Sequence, residues 1–265
     1  MSYNIIRKEL RLNRRSFLIW AGVVLLIIAI YLPFFPYMQD PEFAKLLEGY
    51  PDTIKDAFNI TGSLFQDINL YYAGMVMQYA LLLALIYTAM LAGRLISREA
   101  DLNTAEFLFT RPLTRSRIMA SKTALFLLLN LLLWALLYGA SLAVGSATAP
   151  GDFDPSGQLL VHLAGFLASL AVGGIAFAAA PFINTVQGTT SLGVGLGFGF
   201  FIIDALSKLT EKLAFLKYIN LYHYAALEDA VAGEPFLAGM AVLLLLFLLG
   251  TGLGFRFLNR KEFTG

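Results

Sequence analysis

The stretch SGQLLVHLAGFLASLAVGGIAFAAAPFINTVQGTTSLGVGLGFGFFII, residues 156–203, runs for 48 residues without an Asp, Glu, Lys or Arg. The hydrocarbon core of a bilayer is about 30 Å thick, and a helix crosses it with roughly 20 apolar residues. The stretch is therefore too long for one crossing and long enough for two. Four further runs, 16–39, 68–93, 123–151 and 235–255, are also free of these four residue types. Each has the length of one crossing, so the chain is expected to cross six times, at about 17–37, 70–93, 121–147, 157–181, 187–205 and 236–257. Only helices and closed barrels satisfy the backbone in lipid. These runs are continuously apolar and do not alternate, so they read as helices and not as barrel strands.

The whole composition agrees. Of 265 residues, 58% are hydrophobic and 14% charged, against about 25% charged in a soluble domain. Mean hydropathy is +0.71. The helices of a soluble bundle carry a polar face, and these runs have none. The expected fold is one all-α integral membrane domain spanning 1–265. The first run is too long for a cleaved signal peptide, and no small-residue cleavage site follows it. The chain has no cysteine, which excludes disulfides and thiolate metal sites.

Lys and Arg gather on the cytoplasmic side of membrane proteins. Residues 1–16 hold five (Arg7, Lys8, Arg11, Arg14 and Arg15), the 94–122 connection holds six and the C-terminal tail three. The alternate connections hold two (Lys45, Lys55), none, and three (Lys208, Lys212, Lys217). Both termini and the 94–122 connection are thus expected in the cytoplasm. Residues 3–15 read as an amphipathic helix in the headgroup layer, with Tyr3, Ile6, Leu10 and Phe17 on one face, the polar Asn13 completing the spacing, and the five bases opposite, toward anionic lipid. At the outer end of the first span, Pro33 and Pro36 should kink or stop the helix. Phe43, Leu46, Leu47 and Tyr50 form a short amphipathic piece beyond it. Between the fifth and sixth spans, the leucines at 206, 209, 213 and 216 and the tyrosines at 218, 222 and 224 suggest helices lying in the outer interface.

Gly165, Ser169 and Gly173 recur at four, and Gly193 with Gly197 overlaps Gly195 with Gly199. Small residues at this spacing let helix backbones approach closely in lipid. They fit packing within the chain, or a helix that lines a pathway or meets a second copy. No nucleotide-binding G-x-x-x-x-G-K-[ST], no H-E-x-x-H and no G-x-S-x-G occurs. His162, Gln78 and Asn130 are polar residues within spans, where they either serve function or bond a neighbouring helix. No span carries paired carboxylates, and the residues outline no catalytic site.

The connection itself, RLISREADLNTAEFLFTRPLTRSRIMASK, residues 94–122, holds six basic and three acidic residues. Asn103 and Glu106 have capping-box spacing, so a short helix should start at Thr104. It would carry Phe107, Leu108 and Phe109 and end before Pro112. Thr114 can cap the helix that follows. Exposed apolar residues on a capped helix outside the bilayer need a partner.

This segment resembles the cytoplasmic motif of ABC-2-type transporter permeases, in which a Glu precedes GTxExLLxxPxSRxxIxxxK. Glu99 matches the first acid, and Thr104, Glu106, Leu108, Pro112, Arg115, Ile118 and Lys122 match the rest. Asn103 stands for the usual Gly and Thr114 for Ser. The basic start IIRKELRLNRRSFLIW (5–20), the six spans and YINLYHYAALEDAVAG (218–233) extend the resemblance over the chain, although Leu221 stands where the family commonly has Pro.

The resemblance implies the membrane subunit of an ATP-driven exporter in the cytoplasmic membrane, with no enzymatic activity or cofactor of its own. ATP and Mg would be bound by a separate ATPase subunit, and a second permease copy or paralogue would complete the pathway. Membrane lipid is the other partner, and no nucleic acid is implied. The 94–120 segment would then hold the coupling helix, meeting the ATPase through Glu99, Asn103, Thr104, Glu106, Phe107, Phe109 and Arg111. Spans two and five would line the pathway, with Gln78, Gly193 and Gly197 as candidate residues. The competing expectations are a membrane scaffold that recruits a soluble factor through the same connection without moving a solute, and an intramembrane enzyme, for which the sequence holds least.

Overall fold

The computed structural model describes residues 3–57, 62–101, 115–231 and 237–260. Among these every regular element is helical, and six helices are long and apolar enough to cross a membrane. They are α1 (Tyr3–Tyr31), α2 (Met77–Asp101), α3 (Arg115–Thr148), α4 (Pro155–Ala179), α5 (Val186–Leu209) and α6 (Leu237–Arg260). The chain is therefore an all-α, multi-pass membrane protein.

The helix ends follow local chemistry. After Tyr31, Pro33 and Pro36 turn α1 into a 3-10 turn, Leu32–Phe34, and a short helix, Phe35–Met38. The expected amphipathic piece is the helix Pro41–Glu48. Ile68–Tyr71 is capped by Asp67, whose carboxylate accepts from the backbone N–H of Asn69 and Leu70, and leads through a π-helical turn, Tyr72–Val76, into α2. Asp154 caps α4. Its carboxylate accepts from the Ser156 hydroxyl at 2.6 Å and from the N–H groups of Ser156 and Gly157 at 3.0 and 2.9 Å. Those bonds, the Ser156 hydroxyl first, hold its carboxyl below the usual carboxylate range. Asn69 clips the same loop to the start of the second span, donating to the Asp152 carbonyl and accepting from the Asp154 N–H, both at 2.8 Å.

The sequence separates an interfacial helix, 3–15, from a span beginning at 17. The structure instead runs one helix from Tyr3 to Tyr31. No proline or glycine interrupts the chain before Gly22, so nothing breaks the i→i−4 ladder. The buried stripe of α1 shares only Asn13 and Phe17 with the expected face. It is Glu9, Asn13, Phe17, Ala21, Val24 and Ile28, while Tyr3 and Leu10 are exposed. Arg7, Lys8, Arg11, Arg14 and Arg15 are all exposed.

α2 lies at the centre, packed on α1, α4 and α5; α4 also packs on α3 and α6, and α1 on α3. Of the apolar stretch of the second span 83% is buried, against 17% in α5 and 22% in α6, so α5 and α6 give most of their surface to the surroundings. Small residues set the closest crossings. A Cβ at Gly250 of α6 would stand 2.3 Å from the backbone of Gly174 in α4. Gly165 and Gly173 of α4 seat Trp134 and Phe126 of α3, and the Trp134 indole donates to Ser169 at 3.0 Å. The two overlapping pairs on α5 part company. Gly193 and Gly197 face Met90 and Ile86 of α2, whereas nothing lies within 4 Å of a Cβ at Gly195 or Gly199.

Two outcomes are expected. Gly250→Leu must push α4 and α6 apart and should lower stability in detergent by at least the ~1–3 kcal/mol typical of overpacking, while Gly195→Ala should stay within about 0.5 kcal/mol; thermal unfolding of the purified variants distinguishes them. Asp154→Ala should lose the ~1 kcal/mol of a helix cap. Because Asp154 titrates lower folded than unfolded, its contribution is present above the unfolded carboxylate value of about 3.9 and fades as pH falls through its folded value. The gap in melting temperature between wild type and Asp154→Ala should therefore be full at pH 6 and shrink in stronger acid.

Candidate functional site

The charged ends of α1, α2 and α3 meet on one side of the bundle. α2 continues past its apolar run to Asp101, and α3 begins at Arg115, ahead of its own. At 1.5 Å per residue, the eight residues of α2 after Gly93 carry it about 12 Å further. The chain between these two helix ends is 102–114. Of the residues expected to meet an ATPase, Asn103, Thr104, Glu106, Phe107, Phe109 and Arg111 lie outside the described residues, as do the capping pair and Pro112. Glu99 sits in the last turn of α2, with its side chain outside the description.

What the structure brings together at this place is a buried ionic joint. Glu9 of α1 is 1% exposed. One of its carboxylate oxygens lies 3.3 Å from the Arg98 guanidinium of α2, the other 3.6 Å from the Lys122 ammonium of α3. Lys122, 2% exposed, also donates to the Leu95 carbonyl of α2. Asn13, one turn along α1, donates to the Glu9 carbonyl at 2.8 Å and to its carboxylate at 3.3 Å. Three helices are tied through one carboxylate, and further contacts of Glu9 and Lys122 add to these. Deeper in, Phe17 and Trp20 of α1 pack against the ring of Tyr87 in α2, so the joint sits on an aromatic floor. Near it, Ser97 of α2 and Thr189 of α5 approach to 3.3 Å through their hydroxyls.

The polar residues inside the spans are engaged. His162 has its Nδ1 2.7 Å from the Gln158 carbonyl, to which it donates, and its Nε2 3.1 Å from the Tyr72 hydroxyl. Its ring stacks on Tyr72 and meets Trp134 and Tyr138 edge-on. Thr88 donates to Asn130 at 2.9 Å, and Asn130 donates to the Phe126 carbonyl at 3.1 Å. These bonds join α2 to α3 and the π-helical turn to α4 and build no nucleophile–base pair.

At the far end of the bundle a cavity of about 410 Å³ opens between the π-helical turn, α5 and the segments after it. Gln78 lines it together with Asp204, Lys208, Tyr222 and Glu228. Asp204 is 5% exposed; it pairs with Lys208 at 2.7 Å and accepts from Asn220 at 2.9 Å. The expected interfacial helices here are a 3-10 stretch, Glu211–Ile219, and two short helices, Leu221–Ala225 and Leu227–Val231. Between the short helices Ala226 adopts φ +43°, a left-handed conformation that alanine seldom takes.

Of the three residues named for a pathway, Gln78 thus faces a cavity, whereas Gly193 and Gly197 form the α5–α2 contact. The joint itself, Glu9 with Arg98 and Lys122, is absent from the residues that sequence reasoning singled out for function, apart from Lys122 as part of the motif. Glu9 is the single acid among residues 1–16, and its position on the 9, 13, 17, 21 stripe was the available signal.

Removing Glu9 takes away the buried carboxylate that Arg98 and Lys122 share. Breaking a buried pair costs about 3–5 kcal/mol. Since Arg98 keeps 16% of its side chain exposed, Glu9→Ala should lie near the lower end, about 3 kcal/mol. The Glu9→Ala/Lys122→Met double variant should recover part of that loss, measured by chemical denaturation in micelles.

A family model described as ABC-2 family transporter protein matches residues 3–263, nearly the whole chain. No curated protein matches it.

Proposed function

This chain belongs to the ABC-2 transporter family and is the membrane component of an ABC transporter, and on that premise we propose that it serves an ATP-driven exporter whose energy comes from a separate ATPase subunit. The observation that carries the reading is the projection of α2 and α3 beyond their apolar runs, which delivers the 102–114 segment between two stiff, ionically joined helix ends. A push on a flexible loop would dissipate, whereas a push on a segment held by long continuous helices moves the spans with it. Coupling of this kind requires contacts that differ between two states, and α2, packed on α1, α4 and α5, is the helix best placed to pass movement on.

In this reading the side that carries residues 3–15, 94–122 and the C-terminal tail faces the cytoplasm, as the Lys and Arg distribution supports. Glu99, Asn103, Thr104, Glu106, Phe107, Phe109 and Arg111 meet the ATPase, which binds ATP and Mg. The exposed bases of α1 lie at the anionic headgroups of the cytoplasmic membrane. A second permease copy or paralogue covers the open face of α5, where Val194, Phe198 and Ile202 are exposed and Gly195 and Gly199 leave space for a close approach. The pathway runs beside α2 and α5 and leaves near the cavity that Gln78 lines.

The test is whether the detergent-solubilised protein co-purifies with a P-loop ATPase whose activity rises in the complex. Thr104→Pro with Glu106→Ala should then leave the membrane fold intact but lower transport per ATP hydrolysed by about tenfold or more, within the usual range of coupling free energies. Normal transport by the double variant would refute the coupling assignment. Recruitment of an ATPase with no solute moved would favour the scaffold.

A further inference from the structure

We propose that Glu9 is a positioning residue: its carboxylate fixes how the two ends of the 102–114 segment stand relative to one another. Its two oxygens are used separately. Each faces a different cation on a different helix, Oε2 the Arg98 guanidinium and Oε1 the Lys122 ammonium. Arg98 stands three residues before the end of α2, and Lys122 seven residues after the start of α3. These are the two helices that flank the segment.

A carboxylate split in this way acts as a spacer. A few ångströms of sliding between α2 and α3 would keep one pair and lengthen the other, and losing a buried ion pair is costly. Lys122 adds a second tie by donating to the Leu95 carbonyl, three residues before Arg98. Asn13 holds Glu9 in place from one turn away, through both its carbonyl and its carboxylate. Because α1 is one helix from Tyr3 to Tyr31, whatever displaces the joint displaces the whole of α1. The five exposed bases on the opposite faces then anchor this body to the headgroup layer. The ends of α1, α2 and α3 thus move together, and a partner acting on 102–114 acts on all three. That last consequence rests on the function proposed above; the positioning role of Glu9 does not.

The chain has no cysteine, so paired spin labels can be introduced without background. Asp101→Cys and Ala120→Cys place one label on each exposed flank. In lipid nanodiscs the full chain should give a single narrow distance distribution between them. Glu9→Gln should make it about twofold broader, as expected of segments released from a packed body. Glu9→Gln/Lys122→Met removes one cation together with the carboxylate, which separates a lost bridge from a change in net charge, and its distribution should also be broad. Asp204→Asn, which weakens a half-buried ion pair at the far end of the bundle, should leave the distribution narrow. A narrow distribution in both Glu9 variants overturns the proposal, as does broadening by Asp204→Asn to the same extent. Where an ATPase co-purifies, Glu9→Gln should also lower its stimulation by the permease about tenfold. Broad distributions in the Glu9 variants with no ATPase found would support the positioning role and count against the exporter reading alone.

Discussion

A charge taken into a bilayer must bring its counter-charge with it, and this constraint decides which helices of the protein are neighbours. At the basic side one acid, Glu9, meets two bases from helices far away in sequence, and the ends of α1, α2 and α3 gather around it. At the far side Asp204 is met by Lys208 on its own helix and by Asn220 from the segment beyond, which draws the interfacial helices back over the mouth of the bundle. Between the two levels the interactions are of another kind. Single hydrogen bonds from Thr88, Trp134 and Tyr72 tie α2, α3 and α4 together, and the rest is close packing. Lipid tails are as apolar as leucine, so helices in a membrane gain little from hiding leucine from them; shape and satisfied polarity have to hold the bundle.

Shape is supplied by the small residues of α4. One face of that helix seats the aromatic rings of α3, and another lets α6 approach backbone to backbone at Gly174. α4 and α2 form the inner pair, and α5 and α6 lean on them with most of their surface still open. The result has a rigid centre, held at one end by ions, with an outer face on α5 that a second permease or lipid must cover. A transporter needs both: a body that moves as a unit and a boundary at which movement opens a path.

Much of this was legible in the sequence, because its strongest signals are local. The 48-residue uncharged run specifies two spans, the prolines at 33 and 36 specify the end of α1, and the alternation of Lys and Arg specifies two unlike sides. What stayed hidden depends on partners distant in the chain. The face of α1 was legible at Asn13 and Phe17 but not before them, because counting apolar residues favours Tyr3, Ile6 and Leu10 while the stripe that is buried begins at Glu9; only Arg98 and Lys122, some 90 and 110 residues away, explain why a carboxylate is welcome there. The two glycine pairs of α5 are equivalent in sequence, and contact with Met90 and Ile86 alone shows which of them faces inward. The left-handed Ala226 carries no sequence signal, since alanine has no preference for that conformation. The motif at 94–122 was the clearest functional signal, and its centre, 102–114, lies outside the described residues.

The central claim is that the joined ends of α1, α2 and α3 present 102–114 to a cytoplasmic motor. Its most direct test is the side of the membrane on which that segment lies. Asn103→Cys, the sole thiol of the resulting chain, can be challenged with a membrane-impermeant maleimide. The account requires labelling in inside-out vesicles and none in intact cells. Labelling of intact cells from outside, with none in inside-out vesicles, would contradict it.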